Sequence, residues 1–140
     1  MFSFTRTAPQ SPVYPNMAAM CAQIRVELGK PQEAEEILSR GIDAQPTRPE
    51  AYVMLALLKR KEHRLDQARD TLVGANKATG GESAEIHYDL GLIELELNDT
   101  DAAVKDARKA YALGYPLPWL REKLQRIGRW SDAGPPPKSP

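Results

Sequence analysis

Cysteine is almost absent from this chain. Cys21 stands alone among 140 residues, which excludes an intrachain disulfide and a metal site built from cysteines. Histidine is nearly as scarce, with only His63 and His87. An excess of either charge is also missing: 19 Lys and Arg balance 19 Asp and Glu. Proteins that hold nucleic acid draw affinity from a basic surplus, so no nucleic-acid partner is expected. No run approaches the ~18 consecutive apolar residues needed to cross a bilayer. The stretch before Cys21 carries Pro9, Pro12 and Pro15 and lacks a signal core, which argues against a lipid-anchored cysteine. These absences lead to the expectation of a cytoplasmic chain with no membrane insertion.

Chemistry is missing too. No glycine-rich phosphate loop follows a strand, and Gly80–Gly81 alone signals a turn. Ser, Cys and His show no pairing of nucleophile with base. Glu85, His87 and Asp89 stand close in sequence. On a helix, residues two apart point to different sides, so His87 faces away from both carboxylates. The expectation is a non-enzyme with no catalytic residue, no metal and no cofactor.

What is present is helical periodicity. Sustained alternation is lacking and β-branched residues are scattered, so strands are not expected. Met17, Met20, Cys21, Ile24 and Leu28 fall on one broad helix face that stops at Gly29. Ala34, Ile37, Leu38, Gly41 and Ile42 form a second stripe, closed by Pro46. Further helices are predicted over 49–62, 66–79, 84–97 and 101–113. Each is marginal alone in water and must be stabilised by packing on its neighbours. Residues 1–14 read as a flexible arm, and 131–140 as a disordered Pro-rich tail that cannot hold a helix.

Laid against itself, the chain repeats every 34 residues, with one extra residue absorbed at Gly80–Gly81. Ala22, Ala56 and Gly91 coincide, as do Ala34, Ala68 and Ala103. Gly41, Ala75 and Ala110 form a third set, and Cys21, Leu55 and Leu90 a fourth. Small residues are needed where two helix axes approach closely, and enlarging one costs about 1–3 kcal/mol through overpacking. At the end, Leu117, Leu120, Leu124 and Ile127 share one face of a seventh helix over 117–127. Pro118 suits its start and Gly128 its stop. An array of repeats exposes an apolar flank at its end, and such a helix would cover it.

With these residues in place, the chain resembles the tetratricopeptide repeat family over about three-quarters of its length. Tyr52, Leu55–Ala56, Leu90–Gly91, Gly29, the three alanines and Pro46 match the family pattern. Arg25, Lys59 and Glu94 depart from it at a position often held by Tyr, and His63 and Asn98 replace the turn glycine. Asn tolerates the left-handed conformation required there. The resemblance implies an all-α solenoid of three antiparallel helix-turn-helix repeats at 15–48, 49–83 and 84–117. With the capping helix 117–127, these make one domain over 15–130.

The resemblance also implies a concave groove lined by the first helix of each repeat. Its positions here are Ala19, Met20, Gln23 and Glu27, then Val53, Met54, Leu57 and Lys61, then Glu85, Asp89, Leu92 and Glu96. The family's best-known mode clamps a C-terminal carboxylate with Lys, Asn and Arg. The matching residues here are Ala19, Gln23, Met54, Glu85 and Asp89, and the two acids would repel such a ligand. From Glu82 to Asp101 there are seven acidic residues and no Lys or Arg. The expected partner is therefore a polypeptide with apolar anchors and a basic flank, held by a scaffold or adaptor such as an assembly or secretion accessory factor. The alternative is a self-associating structural subunit, a homo-oligomer in which Phe2, Phe4, Val13 and Tyr14 occupy a groove. Arg121, Lys123, Arg126 and Arg129 suggest a third contact, with anionic lipid or nucleic acid, on residues that more often simply solvate a helix.

Overall fold

The computed structural model describes residues 17–131; the arm 1–14, its four apolar residues and the tail beyond Ser131 lie outside the described residues. Seven helices and no strand occur among those described: α1 Met17–Glu27, α2 Pro31–Ala44, α3 Pro49–Lys61, α4 Leu65–Ala78, α5 Ala84–Glu96, α6 Thr100–Ala112 and α7 Trp119–Arg126. They fall into two compact units that divide between Gly81 and Glu82.

In the first unit α1 packs on α2, α3 on α4, and α2 on α3, while α1 also touches α3. Pro31 and Pro49 open α2 and α3, where a missing N–H costs nothing. The small residues sit at the close approaches. Ala22, Ala34, Ala56 and Ala68 are wholly buried. A Cβ on Gly41 would come 2.5 Å from the Cβ of Ala18, so only glycine fits there. Leu38, Leu55 and Leu58 fill the space beside them, with Val26, Ile37, Ile42 and Met54 packed against that core.

The outer side of α1 differs from what its periodicity suggests. Met17, Met20, Ile24 and Leu28 are all exposed, and Ala22 is the one fully buried residue of the helix. Periodicity marks a face as apolar; what covers it depends on neighbours, and among the described residues none lies there.

The second unit is the hairpin of α5 and α6 with α7 laid on both. Leu120 and Leu124 are fully buried with Tyr88, Ala107 and Ala110. Leu120 occupies the space above Gly91, where a Cβ would come 2.5 Å from its Cδ2. Leu117 packs at the edge of this core. Ile127 does not join it: it caps the end of α7 and is exposed. Tyr111 fixes the entry to α7, donating from Oη to Leu117 O (2.8 Å) and accepting from Arg121 N (3.1 Å). After Gly128 the chain doubles back. Trp130 meets Tyr111 edge-on at 5.7 Å and stacks on the Arg108 guanidinium at 4.4 Å, while Arg129 pairs with Asp101. Trp119 lies in solvent instead.

The turn inside each hairpin is the same device three times. Gly29, His63 and Asn98 stand at equivalent positions with φ of 75°, 62° and 63°. The following amide reaches back five residues in every case: Lys30 to Arg25, Arg64 to Lys59, and Asp99 to Glu94, at 2.8 to 2.9 Å. Such a bond satisfies a carbonyl that the helix end would leave unpaired.

Candidate peptide-binding faces

The first helix of each repeat uses its small residues against the second helix, which leaves its other sides to meet a neighbour or a ligand. On α1, Met20 is 63% exposed and Ala19 half-buried, while Gln23 and Glu27 are exposed. Gln23 Nε2 donates to Glu27 Oε1 at 3.1 Å, one helical turn on. On α3, Leu57 is half-buried and Lys61 exposed. Because α1 and α3 touch, these two sets lie on adjoining helices of one unit. Met54 is half-buried and rests against the core of Ala22, Leu38 and Leu55, so it packs as well as presenting surface. Val53 is only 6% exposed. It sits among the packed residues of α3 and has almost no surface for a ligand.

On α5, Glu85 and Glu96 are exposed, Leu92 packs against the Tyr88–Leu120 core, and Asp89 is buried. Tyr115, which the sequence reading did not single out, stacks on Tyr88 at 4.0 Å. Burial raises the Tyr115 hydroxyl to about 12, with the negative charge of Asp89 and Glu85 adding to the shift. A phenol so placed stays protonated and neutral at physiological pH, beside two carboxylates. The α5 positions therefore form an acidic patch with an aromatic wall.

Other polar groups serve the frame. His87 is buried and its Nδ1 lies 2.7 Å from Asp106 Oδ1, a partner on α6, in keeping with a ring turned away from Glu85 and Asp89. Arg25 meets Glu33 at 3.4 Å, and Lys59 Nζ donates to Thr71 Oγ1 at 3.3 Å, each joining the two helices of its hairpin. Glu94, third in that set, is buried. Arg64 grips Glu35 through both terminal nitrogens, at 2.9 and 3.2 Å, and also reaches Glu62 and Gln67. The guanidinium holds the Glu35 carboxyl below the usual carboxylate range. This cluster lines an open cleft of about 950 Å³ with Gln32, Ser39 and Arg40, away from the expected positions. Arg121 lies over the Tyr111 ring and Arg129 is paired with Asp101, so two of the four C-terminal basic residues are engaged within the unit. No group of three or more metal-ligating side chains occurs among the described residues, and no described helix is long and apolar enough to cross a membrane.

Paired helices closed by a left-handed residue, held by small side chains at a fixed period and ended by an amphipathic helix, define an all-α helical-repeat protein of the solenoid class. Two models described as tetratricopeptide repeat match the sequence, one over residues 25–87 and the other over 84–113. The chain belongs to the tetratricopeptide repeat family, with three repeats and a capping helix. Among solved structures, it is similar to the crystal structure of the Yersinia enterocolitica type III secretion translocator chaperone SycD, in an alternative dimer. The TM-score is 0.64 at 13% identity, over 84% of this chain and 89% of that one. That likeness is one of fold. No curated protein matches by sequence.

Proposed function

We propose that the chain is a non-catalytic interaction module that holds a segment of a partner polypeptide against the first helices of its repeats. The observation that carries this reading is the adjoining pair α1 and α3, which presents exposed Met20 with half-buried Met54 and Leu57. Methionine adapts its shape to varied apolar side chains, so such a floor suits a segment with apolar anchors. Within the second unit, exposed Glu85 and Glu96 on α5 favour basic residues in a bound segment. The repeat domain is taken as 15–130, working in the cytoplasm. The fold neighbour is named a translocator chaperone of type III secretion, and an accessory role in assembly or secretion is the corresponding reading here. Affinity near the micromolar range, about −8 kcal/mol, is expected of so open a surface.

The test is selection of random peptides displayed on phage against the full chain, followed by binding titrations. Selected sequences should pair apolar anchors with Lys or Arg. A variant carrying Met20→Lys and Leu57→Lys should bind them at least tenfold more weakly while keeping its helical content. Equal binding by that variant would remove these faces from the reading.

A further inference from the structure

We infer that the outer face of α1 is an interface for a second copy of this chain. The stripe differs from the proposed peptide-binding face and shares only Met20 with it. Ile24 and Met17 occupy the same repeat positions as Leu58 and Ala51 in α3 and as Ile93 and Ile86 in α5. The four residues of α3 and α5 are buried, with 0 to 9% exposed, whereas Met17 is 46% and Ile24 52% exposed. These two register positions are thus packed in two repeats and bare in the first. Met20 and Leu28, at 63% and 60%, extend the bare stripe. Leu28 follows the helix yet keeps its register, since its amide donates to Ile24 O at 3.0 Å. Successive spacings of three, four and four residues give the seam by which one helix packs along another.

Three features fit this stripe to its own copy. Antiparallel pairing about a two-fold axis sets Met17 on Leu28 and Met20 on Ile24, so each flexible methionine meets a branched side chain; an interface of this kind is self-complementary. The flanking polar groups are already engaged, Gln23 with Glu27 and Arg25 with Glu33. In that arrangement the two Glu27 residues stand about 14 Å apart along the helices, beyond the screening length of about 8 Å. The four side chains expose roughly 400 Å² of apolar surface, within the range of functional patches. With its polar rim, each copy would bury about 600 Å², which brings the total to about 1,200 Å², the lower limit for a specific interface. An interface of this size suits a weak, reversible dimer.

Sedimentation equilibrium of the full chain tests this, over about 1 to 200 µM to bracket a micromolar constant. The expected mass rises from one chain toward two. Ile24→Glu with Leu28→Glu should remain a single chain over the whole range, with unchanged circular dichroism and a melting temperature equal to that of wild type at the dilute end, where both are single chains. Neither residue belongs to the proposed peptide-binding positions, so peptide binding by this variant is read separately. A wild-type chain that stays monomeric overturns the inference, as does a variant that dimerises like wild type. A monomer that associates only after residues 1–16 are removed would show that its own N-terminal segment covers the stripe, which also overturns it.

Discussion

The first and last hairpins are built alike and finished differently. In both, small residues of the first and second helices are buried together: Ala22 and Ala34 in one core, and Gly91 against the backbone of Ala103. At the last hairpin α7 brings Leu120 onto Gly91 and closes a core of tyrosines over it. At the first, the outer helix carries Met17, Met20, Ile24 and Leu28 in solvent. The repeat code sets how two helices of a hairpin meet. What covers the exposed flank is set by the chain that follows it, or by a partner, and the two ends have different answers.

The strongest way to break that contrast is to delete side chains at each end. Leu120→Ala should destabilise the second unit by about 2–5 kcal/mol, since a fully buried leucine leaves a cavity. Ile24→Ala, at an exposed position, should stay within about 0.5 kcal/mol. Chemical denaturation followed by circular dichroism distinguishes the two, and equal costs would dissolve the contrast.

Next in size is the contact that makes the last hairpin special. Gly91→Ala should cost about 1–3 kcal/mol, because its Cβ forces Leu120 and α7 outward. The same change made in the Leu120→Ala background should cost much less, a coupling that a double-mutant cycle reads directly. Additive costs would mean that Leu120 is not what restricts position 91.

A smaller effect is expected at the turns. His63 and Asn98 both hold left-handed backbone where the first hairpin has Gly29. His63→Gly should stabilise by up to about 1 kcal/mol, and Asn98→Gly by less, because asparagine visits that region more readily. The melting temperatures of the two variants give the comparison, and a destabilised His63→Gly would contradict it.

The last contrast is one of pH. Tyr115 has its hydroxyl raised to about 12 in the folded chain, against an ordinary value near 10. The folded state holds this proton more tightly, so the associated stability is intact below pH ~10 and is lost as pH climbs through about 12. Absorbance titration of the tyrosinates should show a late-titrating group that Tyr115→Phe removes. An unchanged profile would place the late group elsewhere, Tyr88 and Tyr111 being shifted upward too.

Much of this was legible in the sequence, since it depends on local spacing. The 34-residue register picked out small residues that are buried, Ala22, Ala34, Ala56, Ala68 and Ala103 among them, though not Ala18 opposite Gly41, and Pro31, Pro49, Gly29 and Asn98 mark where helices begin and end. The helix limits follow the predicted ones to within a residue or two. Less legible was anything decided by distant partners. Nothing in periodicity distinguishes an apolar face that meets a neighbour from one that does not, so the α1 stripe reads the same as the α3 stripe. Trp130 folding back onto Arg108, and Glu35 beneath Arg64 from 29 residues away, likewise need the tertiary fold to bring them together. The expected peptide-binding positions came from family geometry, which assigns a helix and a side and nothing finer. It did not indicate that Val53 is packed away, that Asp89 is buried, or that Tyr115 stands beside that acid.

The first helices of the repeats are the proposed receiving surface. Hydrogen exchange of the full chain, with and without a peptide selected from the displayed library, tests this most directly. Added protection should concentrate in α1, α3 and α5, around Met20, Leu57 and Glu85. Protection confined to α2, α4 and α6, or spread evenly over all the helices, would contradict it.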